Sequence, residues 1–159
     1  MNDSLKPRAF ETIVYGGLAV GILDGIFALV FYGLALGGNV LRIFQTISAA
    51  LLGREAAYGG GIPTFLLGIL LHFVVATLIS TVYYAASLKL RFLIEKAVVC
   101  GLIYGMIAYL VMNYLIIPLS RIGSGTIPPM IFLVGIIGHA FLVGLPIALI
   151  ARWSALKTR

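Results

Sequence analysis

Phe65-Leu66-Leu67-Gly68-Ile69-Leu70-Leu71-His72 returns 67 residues later as Phe132-Leu133-Val134-Gly135-Ile136-Ile137-Gly138-His139. Each copy lies inside a long apolar run and ends on one of the chain's 2 histidines. The two runs, about 64–87 and 129–152, are each long enough to cross hydrocarbon about 30 Å thick, for which a helix needs roughly 20 residues. Two further runs, about 12–36 and 97–119, take up most of the remaining chain. The fold class follows: an all-α, polytopic membrane protein with four transmembrane helices in a single domain over residues 1–159.

Composition leads to the same class. Of 159 residues 62% are hydrophobic and only 10% charged, and the mean hydropathy is +1.14, far from the balance of a soluble domain. No length is left over for a soluble catalytic domain, so any chemistry belongs to the bundle or its short loops. The net charge of +6 would suit nucleic acid if it formed one patch, but its distribution argues against that partner. Lys6 and Arg8 precede the first run, Lys89, Arg91 and Lys96 separate the second from the third, and Arg152, Lys157 and Arg159 follow the fourth. Only Arg42, Arg54 and Arg121 fall on the other side, which is the positive-inside pattern and predicts cytoplasmic N- and C-termini. The first run has a basic start and the small residues Gly33 and Ala35, yet it is too long for a signal peptide and holds Asp24, so it reads as an uncleaved anchor. The single Cys100 excludes an intramolecular disulfide and a cysteine-based metal cluster.

The duplication extends to the odd-numbered runs, where Gly17-Leu18-Ala19-Val20-Gly21-Ile22 matches Gly101-Leu102-Ile103-Tyr104-Gly105-Met106 at an offset of 84. The chain therefore reads as two parallel-repeat hairpins, about 12–87 and 97–152, related by a pseudo-two-fold axis along the membrane normal. Offsets of 84 and 67 differ by 17 residues, which places an insertion in the external loop 37–63. Within it Val40, Ile43, Phe44, Ile47 and Leu51 recur at helical spacing, with Arg42, Gln45, Thr46 and Ala49 on the other flank. A helix over 40–53 is too short to span and too apolar for water, so it is expected at the external interface or dipping in as a re-entrant cover. Arg42, Gln45, Arg54 and Glu55 are the candidate functional residues of this loop. Gly17, Gly21 and Gly25, with Gly101 and Gly105, form ridges that allow close helix approach in lipid; a seat for a flat ligand is the second reading.

Polar residues inside the runs define the candidate site. At about 1.5 Å per residue, Asp24 lies roughly 18 Å above the cytoplasmic start of its helix, and His72 and His139 roughly 14 Å below the external starts of theirs. All three reach one layer near the midplane, where Asp24 is the only carboxylate of the four runs. Such a layer suits a proton relay, a divalent metal held by His72, His139 and Asp24, or one haem held axially by the two histidines. A buried Asp–His hydrogen bond that only locks helix register is the structural alternative. Asn113, near the external end of the third run, is placed to bond across to the inserted loop or to glue helices. Pro146, seven residues after His139, is expected to kink the fourth helix. Tyr83, Tyr84 and Trp153 at one interface and Tyr58 at the other read as aromatic anchors.

The chain has no P-loop, no dinucleotide fingerprint, no HExxH and no GxSxG, so nothing supports an enzyme. Gly21-Ile22-Leu23-Asp24, the run from Gln45 to Ala57, Gly60-Gly61, Leu67-Gly68-Ile69-Leu70-Leu71-His72-Phe73 and Val111-Met112-Asn113-Tyr114 through Pro118-Leu119-Ser120 together resemble a family of small four-helix bacterial inner-membrane proteins usually labelled uncharacterised. The resemblance covers most of the chain. It implies a bacterial cytoplasmic-membrane location and marks Asp24, the Gln45 to Arg54 segment, His72 and Asn113 as signature positions, but it implies no activity. The expected function is non-enzymatic handling of a proton, ion or small solute through the midplane polar layer, with no cofactor required. The alternatives are an accessory or assembly subunit of a larger membrane complex and a haem or metal carrier. Expected partners are the lipid bilayer and a second copy or a larger complex, since four helices enclose little space.

Overall fold

A computed structural model describes residues 6–157, so Arg159, counted above among the basic flanks, lies outside the described residues. Helix is the only regular structure among those residues. In chain order the helices are α1 (Glu11–Ala35), α2 (Val40–Leu52), α3 (Arg54–Gly59), α4 (Gly61–Ser87), α5 (Phe92–Glu95), α6 (Ala97–Leu119) and α7 (Pro129–Leu156). Four of them, α1, α4, α6 and α7, are long and apolar enough to cross a membrane. Their outward faces carry large exposed apolar side chains such as Leu70, Leu78, Ile107 and Leu133, as a lipid-facing surface requires.

Glycine decides which helices touch. Lipid offers no hydrophobic drive for helix pairing, so contact comes from close backbone approach at small residues. On α1, Gly17 faces Thr77 and Gly21 faces the Phe73 ring of α4. On α6, Gly101 lies against the Gly144 carbonyl of α7, and a Cβ at Gly105 would collide with the carbonyl of His139. The packed seams are therefore α1 with α4, α6 with α7, and α1 with α7. Between α4 and α6 no comparable seam exists. Those two helices are joined instead by Tyr104, whose hydroxyl donates to the Ile79 carbonyl at 2.6 Å and whose ring lies 5.0 Å from that of Tyr83.

The end that carries both chain termini is the more tightly filled. Val20, Ala76, Val143, Ile147 and Ala148 belong to its core, where the alanines let three helices converge around the larger side chains. Thr12 and Ser154 share a hydrogen bond of 3.2 Å, and the Arg8 amide donates to the same Ser154 hydroxyl at 3.2 Å. The short α5 tucks Ile94 under the bundle, and Arg152 donates to the Glu95 carbonyl at 3.1 Å. Tyr83 is not an interfacial anchor as expected: it is wholly buried and donates to the Leu93 carbonyl at 2.8 Å, tying the α4–α6 connection to the core. Trp153 does remain half exposed, with Lys157 4.9 Å over its ring.

At the opposite end α2 packs along the first turns of α4. Asn39 starts it by accepting from the amides of Leu41 at 2.9 Å and Arg42 at 3.4 Å, and Gly53, at a φ of 83°, ends it where a side chain would be strained. Contact is close because Gly68, the glycine of the repeated phrase, has no Cβ: one there would meet the Phe44 carbonyl. Four stretches have wide turns with i→i+5 bonding: Glu11–Tyr15, Leu29–Ala35, Met112–Ile116 and Ala140–Gly144. The last begins directly after His139 and ends two residues before Pro146, so the ladder is already widened where proline removes a donor.

Candidate functional site

Asp24, His72 and His139 line one cavity of about 270 Å³ inside the bundle. Its back wall is α1 with Val20 and Asp24, its sides are α4 and the outer half of α6, and α7 contributes His139 and Val143. Ile43, Thr46, Ile47 and Ala50 of α2 close it from the end opposite the termini, together with Ser120 and Ile122 from the α6–α7 connection. That roof is pinned by the Arg121 amide, which donates to the Ala50 carbonyl at 3.1 Å. Polar groups are few: the walls are mostly isoleucine, valine, alanine and methionine.

Hydrogen-bond accounting fixes the character of those groups. His139 Nδ1 lies 3.0 Å from the Gly135 carbonyl, which only accepts, so Nδ1 carries the hydrogen and Nε2 of the neutral ring is an acceptor. His72 is the mirror case. Its Nε2 lies 3.0 Å from the Gly21 carbonyl and must donate, which leaves Nδ1 as the acceptor. Aromatic edges hold both rings: Phe44 and Phe73 each stand 5.8 Å from His72, and Tyr109 stands 5.0 Å from His139. Glycine again makes room, since the Tyr109 ring occupies the space a Cβ at Gly135 would need.

Asp24 is left without a donor. Among the described residues its one ion-pair contact is with His139, Oδ1 lying 4.0 Å from Nδ1, beyond hydrogen-bond reach and with the imidazole hydrogen already turned to Gly135. Its side chain keeps 19% exposure, directed to a site enclosed by helices. The cavity thus presents one carboxylate and two imidazole acceptors, with both imidazole donors spent on backbone carbonyls.

The expected metal set does not form. Among the described residues no group of three His, Cys, Asp or Glu side chains is arranged to hold a metal ion. The physical reason is the tethering: His72 directs Nε2 to α1 and His139 directs Nδ1 to its own helix, so the imidazoles do not converge on Asp24 as ligands. An axial haem clamp meets the same obstacle at His72 Nε2.

The other sequence candidates stand outside the cavity. Asn113 does not reach the inserted loop; its amide donates to the Tyr109 carbonyl of its own helix at 2.9 Å, beside the wide turn Met112–Ile116. Gln45 is buried and donates to the Gly61 carbonyl at 3.0 Å and the Thr64 hydroxyl at 3.1 Å. Ser48 donates to the Thr64 carbonyl, so this end of α2 is tied to the start of α4 by a polar knot. Arg42 lies 5.1 Å over the Tyr58 ring, and Arg54 and Glu55 border a separate shallow hollow. Sequence reading missed Glu11, which it placed before the first span. The residue begins α1, is buried, and pairs through Oε1 with Arg8 at 2.9 Å while Oε2 has no partner. The signal was the Arg8–Glu11 spacing of one helical turn.

No family model, no curated protein and no solved structure matches the chain. The fold and the cavity define a class, a multi-pass helical protein with an acceptor-lined internal cavity, and the functional reading rests on that cavity.

Proposed function

We propose that the chain is a non-enzymatic membrane protein that takes up and passes a proton or small cation through the Asp24 cavity. One observation carries the reading: the Asp24 carboxylate faces a cavity inside the bundle with no hydrogen-bond donor from any described residue. An isolated carboxylate at membrane depth is costly, so it persists where something that comes and goes completes it. A pair that only locked helix register would bond Asp24 to His139 directly. Here the imidazole hydrogen is committed to Gly135, and the 4.0 Å gap leaves the carboxylate open.

The site works in a bacterial cytoplasmic membrane, with the terminal end in the cytoplasm and α2 as an interfacial helix over the outer mouth. Support comes from the basic flanks, with Lys89, Arg91 and Lys96 at the terminal end, and from the resemblance to small inner-membrane proteins. The two hairpins descend from one. Their glycine ridges favour this, since Gly21 meets the residue after His72 and Gly105 meets His139 itself.

Proteoliposomes with an imposed pH or monovalent-cation gradient test the reading. Wild-type protein should dissipate the gradient and Asp24→Asn, which keeps the side chain's size, should lose most of that flux. Equal flux from both proteins would remove Asp24 from the function.

A further inference from the structure

Three features of the cavity, taken together, narrow what it binds. The first is the acceptor set. Asp24 together with Nδ1 of His72 and Nε2 of His139 offers lone pairs and no hydrogen, so the complement is a cation rich in donors. A primary ammonium brings one positive charge and N–H donors to the Asp24 carboxylate, a charge-assisted pair that needs no convergence of the two imidazoles on one point. An anion would meet the carboxylate unscreened, and a neutral acceptor would find no donor from the histidines.

The second feature is the wall. Above the polar floor the lining is aliphatic: Ile43 and Ile47 of α2, and Met112, Ile116 and Ile117 of α6. A bare ion gains nothing from such a surface. An alkyl chain does, at about 0.8 kcal/mol for each CH₂ removed from water.

The third is the missing seam. α4 and α6 are bridged through Tyr104 and Ile79 on the terminal side of the cavity, and the outer halves of the two helices form no packed seam. Ile116, a lining residue on the outer half of α6, is 46% exposed. The cavity therefore opens sideways, towards where the acyl chains of the outer leaflet would lie, and α2 roofs it against direct access from the end.

We infer that the ligand is an amphipathic primary amine that enters from the lipid between α4 and the outer half of α6 and seats its ammonium on Asp24. The inference rests on the reading of Asp24 as the functional carboxylate and specifies the substrate class for it. An alkyl tail occupies the aliphatic part of the cavity and the opening, while the head displaces whatever solvates the carboxylate. Selectivity comes from the head: a quaternary ammonium of the same length keeps the charge but has no N–H for the Asp24 carboxylate, and a fatty acid of the same length carries the wrong sign.

Binding of n-octylammonium, octyltrimethylammonium and octanoate to the full chain in nanodiscs, against empty nanodiscs, tests this, beside proton and methylammonium flux in proteoliposomes. Octylammonium should bind saturably and more tightly than the other two. Asp24→Asn should weaken it at least about thirtyfold, the loss expected when one partner of a desolvated charge pair is removed. Ile116→Trp, at the exposed lining residue of the outer half of α6, narrows the opening and leaves the polar floor intact, so it should slow association while folded yield and melting temperature confirm a native bundle. Asp24-dependent flux of protons without saturable octylammonium binding overturns the substrate class and leaves the cation reading standing. Octylammonium binding that is indifferent to Asp24→Asn places the amine elsewhere and overturns the site. Flux and binding both indifferent to Asp24 overturn the two readings together.

Discussion

Asp24 Oδ1 and His139 Nδ1 lie 4.0 Å apart, and the hydrogen on that nitrogen points to the Gly135 carbonyl at 3.0 Å instead. Two groups that sequence depth alone would pair are held just short of pairing. The cause is local: Gly135 is one turn before His139 on α7, and its carbonyl captures the ring before Asp24 can. The carboxylate stays open to a ligand, and the imidazole turns from a donor into an acceptor.

The two histidines should accordingly hold opposite tautomers. His139 is protonated at Nδ1 and His72 at Nε2, because each of those nitrogens faces a carbonyl that cannot donate. Nitrogen NMR of the ¹⁵N-histidine-labelled protein above the imidazole titration range resolves the two forms directly. Two Nε2–H signals would show that His139 has released Gly135, and the acceptor character of the cavity would be lost with it.

Much of this was legible in the sequence. Four apolar spans, the helix between the first two and the common layer of Asp24, His72 and His139 follow from hydropathy, period and counting, because depth is nearly a linear function of position along a helix. Rotation about the helix axis is not. Asn113 and His139 both bond their own helices, at Tyr109 and Gly135, and nothing in residue order distinguishes a side chain folded back on its turn from one reaching across. Wide turns shift the facing of every later residue of their helix, so Glu11–Tyr15 re-aims Asp24 and Met112–Ile116 re-aims Ile117. Tyr83 and Glu11 lie near the helix ends, where residue order puts them. Even at the ends the simple reading failed to bury them, since burial there depends on α5 and on the meeting of Thr12 with Ser154.

Glycines of the spans should divide sharply in their tolerance of alanine. An alanine gains up to about 1 kcal/mol of helix propensity over glycine. At Gly25 the added Cβ meets His72 and Phe44 atoms no nearer than 3.5 Å, an ordinary contact, so Gly25→Ala should be neutral or stabilising. At Gly68 and Gly105 it meets the backbone carbonyls of Phe44 and His139, which cannot step aside, and overpacking of that kind costs about 1–3 kcal/mol or more. Unfolding by SDS titration in mixed micelles measures the three variants. Equal stability of Gly68→Ala and the parent would mean that α2 is not seated on α4.

Gln45 should prove structural although it lies in a connection between two spans. Its amide supplies donors to the Gly61 carbonyl and to Thr64, and the residue is 3% exposed. Gln45→Glu keeps the shape and removes both donors, so it should cost about 1–3 kcal/mol, the penalty for leaving buried groups unsatisfied, and should release α2 from the start of α4. Hydrogen exchange at Gln45 to Ala50 amides reads the release. Arg54→Ala, at an exposed residue by the shallow hollow, should leave both stability and exchange unchanged.

Orientation can be read with single cysteines placed on exposed residues at the two ends. Cys100 is the only native thiol and is replaced first; its Sγ makes one weak contact, 3.5 Å to the Phe92 carbonyl, so Cys100→Ser should fold normally. In that background Arg54→Cys sits beside α2 and Lys89→Cys sits in the turn between α4 and α5, on opposite sides of the four spans. A membrane-impermeant maleimide applied to intact cells should label Arg54→Cys fully and Lys89→Cys only after permeabilisation. Basic residues hold loops on the cytoplasmic side during insertion, so Lys89, Arg91 and Lys96 dominate over Arg42, Arg54 and Arg121. The inverse labelling pattern would place α2 in the cytoplasm and turn the cavity's sideways opening to the inner leaflet, and dual labelling in intact cells would mean that both orientations coexist.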